Sequence, residues 1–95
     1  MHNTVVYTIN HKRHRRDLST HSRRSNEALL RSIAAEIAPA YARCKAKAEH
    51  NNSALSCYDW AEYEDLKSAL MQMIEVMEEL YGEDSIPNEF YSMAS

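Results

Sequence analysis

The sequence predicts a mainly α fold: an antiparallel hairpin of two long helices, the first kinked at Pro39, preceded by a short N-terminal strand or arm. Three observations predict it. Larger apolar residues recur at spacings of three and four along two stretches of the chain. One glycine and two prolines in 95 residues leave little turn chemistry for a β architecture. A polar run, His50-Asn51-Asn52-Ser53, separates the two stretches. Two helices cannot enclose a core by themselves, so a twofold dimer forming a four-helix bundle is expected to complete it.

Residues 1–25 form the strand and basic arm of this scheme, 26–82 the hairpin and 83–95 a tail. Thr4 to Ile9 are all β-branched or aromatic, with Val5, Tyr7 and Ile9 on one side of an extended strand. No second run of that composition follows, so the strand's partner is expected in another chain. Residues 10–25 read as a mobile basic connector. In the first helix, from Asn26 to about Glu49, the stripe is Leu30, Ile33, Ile37, Tyr41 and Cys44, with Ser25 or Asn26 as its cap. Pro39 within it removes one backbone hydrogen bond at a cost of about 3 kcal/mol, hence the expected kink.

The second helix, from about Tyr58 to Tyr81, has overlapping capping boxes in Ser56, Asp59 and Glu62, and Gly82 stands where a left-handed terminating residue belongs. Tyr63, Leu66, Leu70, Met73, Met77 and Leu80 trace a coiled-coil seam, which Trp60, Ile74 and Tyr81 widen. The tail carries Ile86, Phe90, Tyr91 and Met93 around Pro87; it either folds back on the hairpin or awaits a partner.

Composition excludes several functions. A single glycine rules out the glycine-rich loops that cradle phosphates. No run of about 18 apolar residues exists to cross a bilayer, and residues 1–25 carry charge where a signal peptide needs an apolar stretch, so a soluble cytoplasmic protein with no membrane partner is expected. A chain of this length buries only about 60 to 65% of its unfolded surface, which disfavours an enclosed catalytic pocket. No Ser or Cys stands in a recognisable nucleophile context, and no His lies on an apolar stripe as a base. His11 and His14 have HxxH spacing, and Cys44 and Cys57 would complete four ligands, but no CxxC accompanies them. Neither enzyme activity, a metal nor a cofactor is expected. Cys44 and Cys57 flank the helical loop, and their pairing stays open.

Charge is the most informative feature. Residues 1–25 hold Lys12, Arg13, Arg15, Arg16, Arg23 and Arg24 against Asp17, whereas residues 51–95 hold Lys67 against ten acids; the whole chain carries −3. Such segregation implies two surfaces with different partners, or with each other. In size, alanine content and charge segregation the chain resembles accessory proteins of phages and mobile elements. The spread of acids along the second helix could present phosphate-like charge to a protein that normally binds nucleic acid, and a small non-enzymatic regulator or inhibitor docking on a larger protein is the reading placed first. Glu62, Asp65, Glu75, Glu78 and Glu79 would then provide the charge, and Phe90 and Tyr91 the apolar anchors. The alternative is a DNA- or RNA-binding regulator that uses Lys12, Arg13, Arg15, Arg16, Arg23 and Arg24 on phosphates. A strand followed by two helices also resembles ribbon-helix-helix repressors, whose dimers insert a two-stranded ribbon in the major groove. The resemblance stops at element order, because these helices are about twice as long and sixteen residues separate strand from helix.

Overall fold

The computed structural model of the chain describes residues 3–9, 12–51 and 57–94. They form β1 (Thr4–Ile9), β2 (Lys12–Asp17), a 3-10 turn at Leu18–Thr20, α1 (Arg23–Asn51), α2 (Cys57–Tyr81), a second 3-10 turn at Glu83–Ser85 and α3 (Asn88–Ala94). The fold is mostly helical, as expected, with α2 at its centre: α1, β1 and α3 all pack against it. Asn26 at the start of α1 bonds Tyr81 at the end of α2, and Arg43 meets Glu62 near the opposite ends, so the two helices run antiparallel. At 1.5 Å per residue the 29 residues of α1 extend about 43 Å, which sets the 45 Å long dimension of the molecule.

The N-terminus differs most from expectation. Residues 12–17, assigned to a mobile connector, are a strand that pairs antiparallel with β1, matching Val5 with Arg16, Tyr7 with His14 and Ile9 with Lys12. The partner of β1 therefore lies in the same chain, with Asn10 and His11 between the strands in sequence. Val5 and Tyr7 turn into the core, whereas five of the six residues of β2 are exposed. Its composition, Lys-Arg-His-Arg-Arg-Asp, holds nothing apolar to bury. Backbone pairing holds it, aided by the His14 ring stacked on Tyr7 at 5.2 Å. Asp17 ends the strand and starts the 3-10 turn: its carboxylate accepts from the Ser19 N–H at 3.0 Å and from the Ser19 hydroxyl at 2.6 Å. These two bonds, hydroxyl first, hold the Asp17 carboxyl below its ordinary value.

The helix α1 begins three residues earlier than its stripe suggests. Ser22, not Ser25 or Asn26, is the cap, its hydroxyl accepting from the Ser25 N–H at 3.1 Å. Asn26 has a different role. It is fully buried, and its amide donates to the Leu18 carbonyl at 2.8 Å and to the Tyr81 hydroxyl at 3.0 Å, tying the 3-10 turn and α1 to the end of α2. The helix runs through Pro39 without interruption. Ile33, Ile37, Ala40 and Cys44 form its buried track, which leaves Tyr41 one position off that track and 47% exposed.

On α2 the seam holds from Leu66 through Leu70, Met73 and Met77, all buried. In the last turn Tyr81 replaces Leu80, because Asn26 and the Arg23 guanidinium, 5.0 Å from the Tyr81 ring centre, draw the tyrosine toward α1 while Leu80 remains 36% exposed. Gly82 follows at φ 100°, ψ 157°, and its N–H closes onto the Glu78 carbonyl at 2.8 Å. The φ is positive as expected, and the ψ lies beyond the left-handed helical region, in territory almost exclusive to glycine.

The tail folds back. Ile86, Phe90 and Ala94 are buried in the same core as Val5, Leu18, Ile33, Leu70 and Ile74. Between them, α3 and the ribbon enclose the core that two helices alone leave open; Ile74, one basis for expecting a dimer, is buried within the single chain. Among the described residues no helix is long and apolar enough to cross a membrane. His11 and Ser56 lie outside the described residues, as do the side chains of Cys57 and Asp59, and with them the four-ligand metal set, the capping boxes and the Cys44–Cys57 pairing.

Candidate nucleic-acid interface

Six cations were expected on the basic arm, and the fold divides them. Lys12, Arg13 and Arg15 stand exposed along β2 together with His14, and Arg24 is exposed in the first turn of α1. None of these four lysine and arginine side chains takes part in an ion pair among the described residues. Arg16 and Arg23 have structural tasks. The Arg16 guanidinium donates to the Ser25 hydroxyl at 3.1 Å and to its carbonyl at 3.3 Å, binding the ribbon to α1. Arg23 pairs with Glu27 at 3.1 Å while lying over Tyr81.

The alternation of a strand explains which face each side chain takes. Val5, Tyr7 and their cross-strand partners Arg16 and His14 share the inner face, so Val6 with Arg15 and Thr8 with Arg13 share the outer one. At the far end of the ribbon Thr8 and Arg13 border a cavity of about 240 Å³, whose other wall is Ala61, Glu62 and Asp65 of α2. Asp65 is half-buried there, with one carboxylate oxygen enclosed and lacking a hydrogen-bond partner.

The residues expected to dock on a protein do not assemble into one surface. Phe90 is 4% exposed and belongs to the core, with the Arg31 guanidinium 5.4 Å from its ring centre; it is an anchor for the chain's own tail and not for a partner. The Tyr91 hydroxyl donates to the Glu78 carboxylate at 2.6 Å, and that bond, more than burial, pushes the phenol up to about 12. Glu62 is buried, with Arg43 at 3.8 Å. Glu75 and Glu79 alone of the named acids are exposed, beside Glu83 and Asp84 at the end of α2.

A cluster outside the expected sites lies at the start of α2. Tyr41, Trp60 and Tyr63 form a chain of rings with Tyr63 in the middle, centroids 5.3 Å and 5.4 Å apart, and the Lys67 ammonium is 5.6 Å from the Tyr63 ring. Trp60 is 40% exposed. Sequence reasoning placed Tyr41 and Tyr63 in the core stripes; Tyr63 is partly buried against the core, whereas at the margin of the α1 stripe the buried position goes to Ala40 and not to Tyr41, although the spacing admits both equally. Among the described residues no group of three or more His, Cys, Asp or Glu side chains is arranged to hold a metal ion. Compared with known protein families, with curated proteins and with solved structures, the chain matches none.

Proposed function

We propose that this chain is a small non-enzymatic nucleic-acid-binding protein that uses the β1–β2 ribbon to engage phosphates. One observation carries the reading: β2 is an ordered strand presenting Lys12, Arg13, His14 and Arg15 to solvent, with no carboxylate paired to its lysine or arginines among the described residues. A basic arm that merely neutralised the acidic α2 would lie in ion pairs along it. A strand spaces alternate side chains by about 6.6 Å, close to the span between successive phosphates of a nucleic-acid strand, and each phosphate engaged releases condensed counterions. The cationic edge also resists pairing with strands of other chains, so the charge serves solubility as well as binding.

The test is fluorescence anisotropy with a labelled oligonucleotide between about 50 and 200 mM salt. Arg13→Ala with Arg15→Ala is expected to weaken binding and flatten the salt dependence by about 0.7 to 0.9 for each phosphate that the variant no longer neutralises. Unchanged affinity in that variant, or no binding by the unaltered chain at low salt, refutes the reading.

A second reading, docking on a larger protein, is favoured by Glu75, Glu79, Glu83 and Asp84, which crowd the end of α2 with no cation paired to them among the described residues. Charge reversal at Glu75 and Glu79 would then slow association with that protein, most visibly at low salt. A homodimer would draw on the exposed Tyr41, Trp60 and Met71.

A further inference from the structure

We infer that the free edge of β2 is a docking site for an extended acidic segment of another protein, which adds to the ribbon as a third, antiparallel strand. The inference goes beyond the nucleic-acid reading and does not rest on it. The Leu18 N–H donates to the Asn3 carbonyl at 2.8 Å, one position beyond the pairing of Thr4 with Asp17. Bonded positions alternate along an antiparallel pair, so Arg16, His14 and Lys12 direct their backbone groups at β1, while Arg13, Arg15 and Asp17 direct theirs away. The Asp17 carbonyl accepts from the Thr20 hydroxyl at 2.8 Å. The N–H and C=O groups of Arg13 and Arg15 meet no other element among the described residues, because β1 lies on α2 and β2 is exposed from Lys12 to Arg15. An ordered edge of this kind is a template for one more strand.

Charge selects the occupant. Arg13 and Arg15 share the outer face of the ribbon, and neither is in an ion pair among the described residues. In antiparallel pairing the residue directly opposite each arginine exchanges both backbone bonds with it and carries its side chain on the same face. A strand with a carboxylate at alternate positions therefore sets one acid beside Arg13 and the next beside Arg15, while the residue between them lies beside His14 on the inner face. A second copy of this ribbon is refused, because like charges would stand opposite one another. That refusal is electrostatic, and an acidic strand turns it into attraction. The exposed acids of this chain, Glu75, Glu79, Glu83 and Asp84, cannot supply the strand, since they lie in α2 and in the 3-10 turn that follows it. The occupant is thus a segment of a different protein.

The probe is a fluorescein-labelled peptide of about eight residues in which Glu and Thr alternate, followed by anisotropy against the full chain at low salt. It is expected to bind, and its Lys-Thr counterpart is not. N-methylation of the Glu residues removes the donors that face β2 and is expected to weaken binding by at least about tenfold. N-methylation of the Thr residues, whose N–H groups point away from β2, is expected to leave it within about twofold. In the chain, Arg15→Pro deletes an edge N–H that takes no part in the β1 ladder, and Arg15→Ala removes the same charge with the N–H kept. Arg15→Pro is expected to bind the peptide at least about fivefold more weakly than Arg15→Ala, and the two are expected to bind an oligonucleotide alike, because a phosphate takes the side chain alone. Circular dichroism and the melting temperature check that both variants fold; if Arg15→Pro disrupts the ribbon, the methylated peptides decide. No binding of the acidic peptide, or equal binding by its two methylated forms, overturns the added strand and leaves the nucleic-acid reading standing. Equal peptide affinity in folded Arg15→Pro and Arg15→Ala reduces the contact to charge attraction without strand pairing, and overturns it as well.

Discussion

Removing the Phe90 ring separates two uses of the tail. If the tail awaits a partner, Phe90→Ala leaves the isolated protein as stable as before. In the structure Phe90 is 4% exposed, flanked along the tail by buried Ile86 and Ala94, and packed in the core that includes Leu70 and Ile74. Truncating a buried phenylalanine costs about 3 to 5 kcal/mol, the transfer energy of the ring plus the cavity left behind. A domain of 95 residues has a total stability of about 5 to 14 kcal/mol, so the loss is a large share of it. At about 4 °C or more per kcal/mol for a domain of this size, Tm falls by at least about 12 °C.

The upper end of that range has a structural limit. α3 is seven residues long, too short to hold helical structure without its contacts, and it ends the described chain. Once Phe90 is gone α3 can leave α2 altogether, and the measured loss then equals the whole free energy of docking the tail, no more. Two measurements separate the cases: urea unfolding followed by circular dichroism gives the global loss, and amide exchange over residues 88–94 tells whether α3 detaches first. Because Phe90 stands alone among the tail residues in carrying a large buried ring, Ile86→Val serves as a mild control expected to cost about 0.5 to 1.5 kcal/mol. An unchanged midpoint in Phe90→Ala refutes the packing described for the tail and returns Phe90 to the surface as an anchor.

Leu70→Ala is expected to cost about 2 to 5 kcal/mol by chemical denaturation, whereas Leu80→Ala, at a position 36% exposed, should shift the midpoint far less; equal effects would mean that the α2 register is wrong. Asn26→Ala removes two hydrogen bonds, to the Tyr81 hydroxyl and to the Leu18 carbonyl, which keeps only the longer 3.3 Å bond from the His21 N–H, and should cost about 1 to 3 kcal/mol, read from the same curves. Gly82→Ala is expected to destabilise by about 1 to 3 kcal/mol although no atom lies within 4 Å of the new methyl, since the cost is in the backbone. Tyr91 bears on alkaline stability: a phenol raised in the fold contributes fully below its unfolded value near 10 and loses that contribution as pH climbs to about 12. Spectrophotometric titration should therefore show one late tyrosine that moves to lower pH in Glu78→Gln, and its failure to move would remove Glu78 as the cause.

The two long helices were legible because their apolar spacing repeats over about four to five turns, and a period of that length tolerates errors at single positions. Tyr41 and Leu80 are such errors. Both obey the spacing, but each lies at the margin of a stripe, and the margin is decided by which neighbour arrives: alanine packs closer than tyrosine at Ala40, and hydrogen bonding from Asn26 selects Tyr81. The ribbon was half legible. β1 announces itself through Val5, Tyr7 and Ile9, and its unpaired backbone demanded a partner; β2 has no apolar residue, so periodicity could not find it. The clue available was local, a strand-like run followed after two residues by six more before Leu18, the first apolar residue past the arginines. The tail remained open as either fold-back or partner segment because composition alone cannot distinguish an aromatic that docks on its own chain from one that docks elsewhere.

The pairing of β1 with β2 changes what the basic residues can do. On a mobile arm, engaging each phosphate also orders the chain that reaches it, at a backbone cost of about 1 to 2 kcal/mol per residue, which offsets much of what an exposed charge contributes. In the ribbon that ordering has already been met by folding: Val5 and Tyr7 anchor β1, the ladder holds β2, and Arg16 on Ser25 holds its base against α1. Arg13 and Arg15 thus sit at a fixed interval on the outer face, with Lys12 on the other face beside them, and only side-chain freedom is left to lose. The commitment of Arg16 to a structural bond accounts for the preorganisation of the other three, and it makes Arg16 the residue whose loss should weaken binding without touching a phosphate. The same logic explains why a strand without a single apolar side chain is retained in a domain this small: β2 contributes little to the core directly, but it satisfies the backbone of β1, which does.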